Sequence, residues 1–398
     1  MAATRSLLGL LLLLAGLTGA SRSRAPPAQG DEGGRLPLVL LVDVYDTTFL
    51  VGSRQRCAPS CSPGAEEECR KDLNNDDVTR FGLGQRANFG VVRDSACPFP
   101  HLASQEGQGE GGRDLNRIDA VIHTDFSLEV EYDGRGTETL GASPFVRPGE
   151  ALNHSRALQV AWIVEPRQLA PPSYTRAIAH LSKFDLVFTH QRSLTLLDTR
   201  FRFCPFGTTY LRRREHRIHA KSRNLSIIAS SKCRNPGTSG LHGHCMRHEA
   251  IRMLGGAIDG VFSENYLVSQ KGWQDNKAAG LRDFRFTIVI ENVKEDCWFT
   301  EKLLDAFLTG AVPVYWGCET LGEWFDLSGV LAFNHSEDLP AIVATLDEAL
   351  YLSLLPAVRH NFQAARTLTD PLQWMWDHGV SMGISQRASR GVSRAALL

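Results

Sequence analysis

The sequence predicts an α/β protein built on parallel sheets. Two observations carry that prediction. Short runs of Val, Ile, Leu and Phe alternate along the chain with stretches of helical period. The most regular stretch, Phe286 to Gly317, also reads as one strand–loop–helix–strand unit. In it, Phe286–Ile290 is an apolar, β-branched run of strand length. Thr300-Glu301-Lys302 opens a helix whose Leu303, Leu304, Phe307 and Leu308 form an apolar face. Gly310 suits its C-terminal stop, and Val312–Trp316 is a second buried strand.

The other elements follow in order. Residues 1–20 are a Leu-rich leader and residues 21–35 a Pro/Gly/Arg linker. Leu38–Val44 is a strand of Val and Leu. Residues from Gln55 to Gly112 are irregular, and Gly107–Gly112 is low in complexity. Ile118–His123, Ala161–Val164 and Leu186–Thr189 are further strands, with a helix over Ser173–Ser182. These make residues 36–211 one α/β domain with a Cys-containing insertion. Cys204–Tyr210 and Arg212-Arg213-Arg214 read as a hinge with a solvated basic face. The second α/β domain spans 222–372. It begins with a strand at Leu225–Ala229, a helix over Cys245–Leu254 and a strand at Ile258–Phe262, and it ends in a helical region over Leu339–Leu368. The Ser/Arg/Gly-rich tail, 383–398, is expected to be disordered.

In a parallel sheet, ligands bind beyond the carboxyl ends of the strands. Glu291 and Asn292 stand where one strand ends, and Glu301 and Lys302 stand at the next helix start. These four residues would converge on one crevice with a helix N-terminus aimed into it. That suits a phosphorylated ligand with hydroxyls. The same residues also fit an ordinary charged helix start.

Composition excludes some classes. The 398 residues carry a net charge of −1, which gives no global basic field for nucleic acid. Leu7–Ala20 is about 14 residues long, short of the ~20 that span a bilayer. Small residues follow it, as in a cleaved signal peptide. Four of the nine cysteines, Cys57, Cys61, Cys69 and Cys97, cluster in the irregular stretch, as disulfides stapling a loop would. Asn153, Asn224 and Asn334 each begin a glycosylation sequon. His123, His190, His244 and His248 fit no metal-ligand spacing and read as structural or surface histidines.

The full wording of the Phe286–Gly317 stretch adds a resemblance. Glu291-Asn292, an aromatic at Trp298, Thr300-Glu301-Lys302 and Val312-Pro-Val-Tyr-Trp-Gly317 resemble the C-terminal signature of the α-1,3-fucosyltransferase family, glycosyltransferase family 10. The likeness is good from Ser226 to Phe333, loose from Ala157 to Leu211, and fades before that.

It implies a GT-B fold: two Rossmann-like domains facing a cleft. It also implies an inverting transfer of fucose from GDP-β-L-fucose, with no metal needed for the chemistry. The absence of any Asp-x-Asp pair agrees with this. Cationic groups would then stabilise the departing diphosphate. Lys302 is placed for that at its helix start, and Arg247 matches the family's diphosphate-contacting Arg. Glu301 aligns with the Glu that holds donor hydroxyls. Asn292 would orient donor hydroxyls or the local loop. Trp298 stands where members usually have Tyr, placed to stack on the donor.

Glu165, before Pro166 at a strand end, is the candidate general base, although the family's following Ser is absent. Asp125 is the alternative. The acceptor would be a glycan, with the 3-hydroxyl of an N-acetylglucosamine as first choice, in the secretory-pathway lumen. The leader would act as a cleaved signal, giving an ER-lumen enzyme, or as a type II Golgi anchor. Two rivals remain: a protein O-fucosyltransferase acting on Ser/Thr, and a non-catalytic protein that keeps the nucleotide-sugar fold for binding.

Overall fold

The computed structural model describes residues 38–42, 84–85, 90–93, 119–124, 130–132, 138–140, 157–230, 233, 242–263 and 277–395. The leader, the Cys57–Cys97 cluster, Asp125 and Asn153 lie outside the described residues. Among those described, no helix is long and apolar enough to cross a membrane.

The first half holds a seven-stranded sheet. Its strands are β1 (Leu38–Val42), β2 (Gly84–Gln85), β3 (Gly90–Arg93), β4 (Ala120–Thr124), β7 (Leu158–Ile163), β8 (Leu186–Thr189) and β9 (Phe201–Phe203). The order is β2-β3-β1-β4-β7-β8-β9, parallel except for the β2–β3 pair. A separate antiparallel pair joins β5 (Val130–Tyr132) to β6 (Glu138–Leu140). Every residue of β4 and β7 is buried, as expected of strands covered on both faces.

Side chains alternate between faces with the strand period of two. Val160 and Trp162 join one core, and Ala161 and Ile163 the other. The second core is closed by helix α1 (Pro171–Ala179) through Tyr174 and Ala177. A four-residue helix, α2 (Arg192–Thr195), follows β8.

The second half is an all-parallel sheet: β10 (Arg223–Ala229), β11 (Gly260–Ser263), β12 (Phe284–Ile290), β13 (Val312–Trp316) and β14 (Leu331–Ala332), in the order β11-β10-β12-β13-β14. Helix α3 (His242–Leu254) links β10 to β11, and α4 (Glu301–Thr309) links β12 to β13. Phe286, Ile288 and Ile290 enter the core under α3, whereas Val289 enters the core under α4. Helices α5 (Leu339–Val343), α6 (Glu348–Ser353) and α7 (Leu355–Arg366) complete the cover. Two Rossmann-like α/β halves are therefore present, as a GT-B fold requires.

The tail corrects an expectation. After α8 (Pro371–Met375) the chain kinks over Trp376–Val380, where Gly379 leaves helical backbone geometry, and continues as helix α9 (Ser381–Ala395). Leu372, Met375, Trp376 and Val380 pack into the core of the first sheet. Gly383 lies against Leu158, where an added Cβ would come within 2.8 Å of Leu158 Cδ1. Arg387 donates to Asp185 at 2.8 Å and to the Ala157 carbonyl at 2.8 Å. Val380, Gly383, Ile384 and Arg387 recur at helical spacing, so a sparse inward stripe outweighs the polar composition.

His123, on β4, is buried, with Nε2 3.2 Å from Gln159 Oε1. Burial pulls its pKa from 6.5 down to about 4. Its neutral form is thus the folded form. Its contribution is fully present above pH 6.5 and is lost as pH falls toward about 4, a change of about 3 kcal/mol. His123→Gln is expected to flatten the acid limb of a stability–pH curve between those values. An unchanged limb would show that His123 is not the group responsible.

Candidate functional site

The second sheet starts at β10, steps to β11 on one side and then to β12 on the other. The switch point therefore lies between β10 and β12, where open parallel sheets hold ligands. Ser230 follows the end of β10; Glu291 and Asn292 follow the end of β12. Helix α3 begins directly over them. Gly243 donates its N–H to the Asn292 carbonyl at 3.1 Å. A Cβ at Gly243 would fall 1.8 Å from the Glu291 carbonyl oxygen, so this close approach requires glycine. A disulfide, Cys233–Cys245, ties the segment after β10 to α3.

Arg247 rises from α3 into this junction and is only 4% exposed. Its Nε donates to the Ile290 carbonyl at 2.9 Å, and Nη2 to Asn292 Oδ1 at 2.9 Å. Nη1 lies 3.0 Å from His244 Nδ1, and Ser230 Oγ lies 3.3 Å from the same nitrogen. Burial pulls the Arg247 pKa down to about 10. The guanidinium thus spans the carboxyl end of β12, with most of its N–H groups already engaged. Neither Ser230 nor His244 was singled out from sequence for this site.

Helix α4 starts at the same rim. Thr300 caps it, with Oγ1 accepting from Lys302 N at 3.3 Å. The fully buried Glu291 carboxylate accepts from Thr300 N at 2.8 Å and from Thr300 Oγ1 at 2.7 Å. A protein carboxylate thus takes the N–H and the hydroxyl of the cap residue at this helix start. Burial pushes the Glu291 carboxyl above its ordinary pKa.

Lys302 Nζ is 3.1 Å from Glu301 Oε1 and 3.6 Å from Glu291 Oε2. Burial disfavours both ions, but mutual attraction wins. It holds Lys302 above its ordinary value, and with Lys277 it holds Glu301 at about 2. Lys277, missed from sequence, lies 2.6 Å from Asp305 Oδ2 and 3.9 Å from Glu301 Oε1. Asp305 accepts from Thr209 Oγ1 at 2.5 Å and from Tyr210 N at 3.2 Å. Asp305 falls four residues after Glu301 on a helix buried nearly all round. A carboxylate among apolar helix positions was the available signal.

Three cations (Arg247, Lys277, Lys302) therefore face three carboxylates (Glu291, Glu301, Asp305). The Lys302 side chain is 24% exposed and that of Lys277 6%. Lys302 is the cation of this set that can meet an incoming anion.

Trp298 is 1% exposed and packs in the first half's core with Trp162, Val164 and Phe206. It stitches the two halves together, and its ring offers no open face for stacking. Glu165 lies just beyond β7, at the carboxyl end of the first sheet, half-buried; its carbonyl accepts from Tyr174 Oη at 3.0 Å. Val164, its neighbour, shares a core with Trp298 and Val293. The Glu165 strand end and the 291–300 segment therefore belong to one seam. Asn334 is exposed, with Oδ1 3.1 Å from Lys294 Nζ. Asn224 lies on β10, and its Nδ2 donates to the Leu346 carbonyl at 2.8 Å. That engages the nitrogen a glycan would need. Among the described residues, no cluster of three or more His, Cys, Asp or Glu is placed to hold a metal.

No family model matches the chain. It is 32% identical over 87 residues to GDP-fucose protein O-fucosyltransferase 3 from Xenopus laevis, a match covering 20% of this chain and 19% of that one. The chain thus spans about a fifth of the curated relative it matches. Among solved structures, an α1,3-fucosyltransferase aligns over 88% of this chain and 92% of its own, at 13% identity and a TM-score of 0.43. An α1,3-fucosyltransferase structure with GDP-fucose gives a TM-score of 0.40 at 12% identity, over 87% of this chain and 94% of that one. Anabaena HepE in complex with UDP gives 0.42 at 12% identity, over 90% and 100%. With all these scores below 0.5, the fold assignment rests on strand order and cover.

Proposed function

We propose that this chain is an inverting fucosyltransferase that moves L-fucose from GDP-β-L-fucose to a hydroxyl in α linkage. The observation supporting this reading is the gathering of Arg247, Asn292, Glu301 and Lys302 at one parallel-sheet switch point. The short match to a protein named as a GDP-fucose-dependent transferase agrees with it.

In this reading Glu165 takes the acceptor proton. The acceptor oxygen then bonds to C1 from the face opposite GDP. The C1–O bond to the diphosphate breaks, and its electron pair leaves with GDP. Inversion turns the β-linked donor into an α-linked product. Lys302 meets the charge growing on the diphosphate. Arg247 holds the end of β12 and Asn292 in place, and Glu301 fixes the Lys302 ammonium.

Lys302→Ala is expected to lower kcat/KM by about 2–4 kcal/mol, the range for a group that stabilises developing charge. Arg247→Lys should also be damaging, because an ammonium cannot span the Ile290 carbonyl and Asn292 together. Near wild-type steady-state rates for both folded variants would place the diphosphate elsewhere.

The acceptor has two readings: the 3-hydroxyl of an N-acetylglucosamine in a glycan, and a Ser/Thr hydroxyl of a protein. The name of the curated relative favours the second. Both acceptors belong to the secretory-pathway lumen, Golgi or ER. The chain would need no metal, since cations are supplied by side chains and the sequence has no Asp-x-Asp pair. The test is calorimetric titration with GDP-fucose, followed by transfer from labelled GDP-fucose to glycan and protein acceptors, with and without EDTA. Binding and transfer that survive EDTA are expected. Binding without transfer or donor hydrolysis would favour a non-catalytic binder. Loss of transfer in EDTA, restored by manganese, would overturn the side-chain account of charge.

A further inference from the structure

His190 stands one residue beyond β8, on the same rim as Glu165. The register pairs Thr189 with Ile163 on β7, so His190 lies beside the segment that carries Glu165. It is 1% exposed. Its Nε2 is 3.2 Å from Glu295 Oε1, and Glu295 belongs to the 291–300 segment of the second half. In the neutral imidazole, a carboxylate at Nε2 selects the tautomer with the proton on that nitrogen and the lone pair on Nδ1. Nδ1 is buried and has no hydrogen-bond partner among the described groups. The neighbouring Trp298 ring, 6.4 Å away between centroids, has an indole N–H in the same condition. Buried polar atoms in folded proteins nearly always have partners, so two orphans on neighbouring rings call for a polar group between the halves.

We infer that His190 Nδ1 binds the fucosyl acceptor, taking a hydrogen bond from one of its O–H or N–H groups, while Glu295 fixes the imidazole tautomer. The inference rests on the fucosyl-transfer reading above. The acceptor is the occupant because His190 lies on the Glu165 rim, whereas Lys302, the cation suited to the diphosphate, lies at the start of α4 in the other half.

The test exploits the two ring nitrogens. Wild-type protein is first offered N-acetyllactosamine and a folded, disulfide-bonded domain with an exposed Thr, and the probe that turns over is used. His190→Ala is expected to raise the acceptor KM about 10-fold, the usual scale of one lost hydrogen bond, with GDP affinity unchanged. His190→Asn, whose Oδ1 replaces the Nδ1 acceptor, should recover most of the loss. His190→Gln, which reaches Glu295 from the ε position, should not.

Recovery by Gln and not Asn would make His190 a latch between the halves and overturn the inference. So would an unchanged KM in the Ala variant, or a parallel loss of GDP affinity. Should the Ala variant fail to fold, the Asn–Gln pair decides alone. Wild-type protein that turns over neither probe and binds no GDP overturns the fucosyl-transfer reading and this inference with it. An active wild type with unaltered variants overturns only the inference.

Discussion

Glu165→Gln is expected to leave donor affinity nearly unchanged while turnover falls by roughly 10²–10⁴-fold, the scale of general-base catalysis. Gln keeps the shape and the hydrogen-bonding reach of the side chain but removes the basic lone pair. The backbone at this position is held independently, since Tyr174 Oη donates to the Glu165 carbonyl. A loss of turnover should therefore report chemistry rather than a collapsed loop. The acid limb of the kcat profile should disappear in the same variant. Calorimetry with GDP-fucose and steady-state kinetics with the working acceptor measure the two halves of the claim. Retained turnover in Glu165→Gln, together with its loss in Asp125→Asn, would move the base to Asp125.

Lys277→Met is expected to cost about 3–5 kcal/mol of stability, because it strands a buried carboxylate. Asp305 is fully buried, and its nearest cation is the Lys277 ammonium at 2.6 Å. The ammonium also lies 4.6 Å from the centre of the Tyr210 ring. The pair thus binds the Thr209–Tyr210 connection to α4, the helix that carries Glu301 and Lys302. Adding Asp305→Asn removes the stranded charge, and Asn can still accept from Thr209 and Tyr210. The double variant should melt well above Lys277→Met alone. A double variant no more stable than the single would show that the ion pair is not what Lys277 contributes.

The regular core was legible because its signals are local. Val312–Trp316 is bounded as its apolar run suggests, and Thr300 and Gly310 cap α4 as their residue types allow; Gly310 has φ of 75°. What sequence reading missed depends on distant partners. Periodicity cannot show that Glu291 would reach back to cap α4, or that Asp305 would meet Lys277 across the fold. Arg247 was placed on the right helix, yet its grip on the Ile290 carbonyl appears only when α3 and β12 are packed together. The tail misled because its polar residues outnumber its inward ones, and a helix needs only one inward stripe to dock.

That docking has a consequence for how the protein is made. Ribosomes deliver Val160, Trp162 and Phe188 long before Met375 and Trp376, which cover the same face of the first sheet. A nascent chain that has emerged only as far as the second sheet still lacks that cover. The first half therefore cannot mature ahead of the second, and its apolar face stays open to other chains during synthesis. The last helices serve as the closing step of biogenesis, and a message cut short near its end would leave both halves written but the first unsealed.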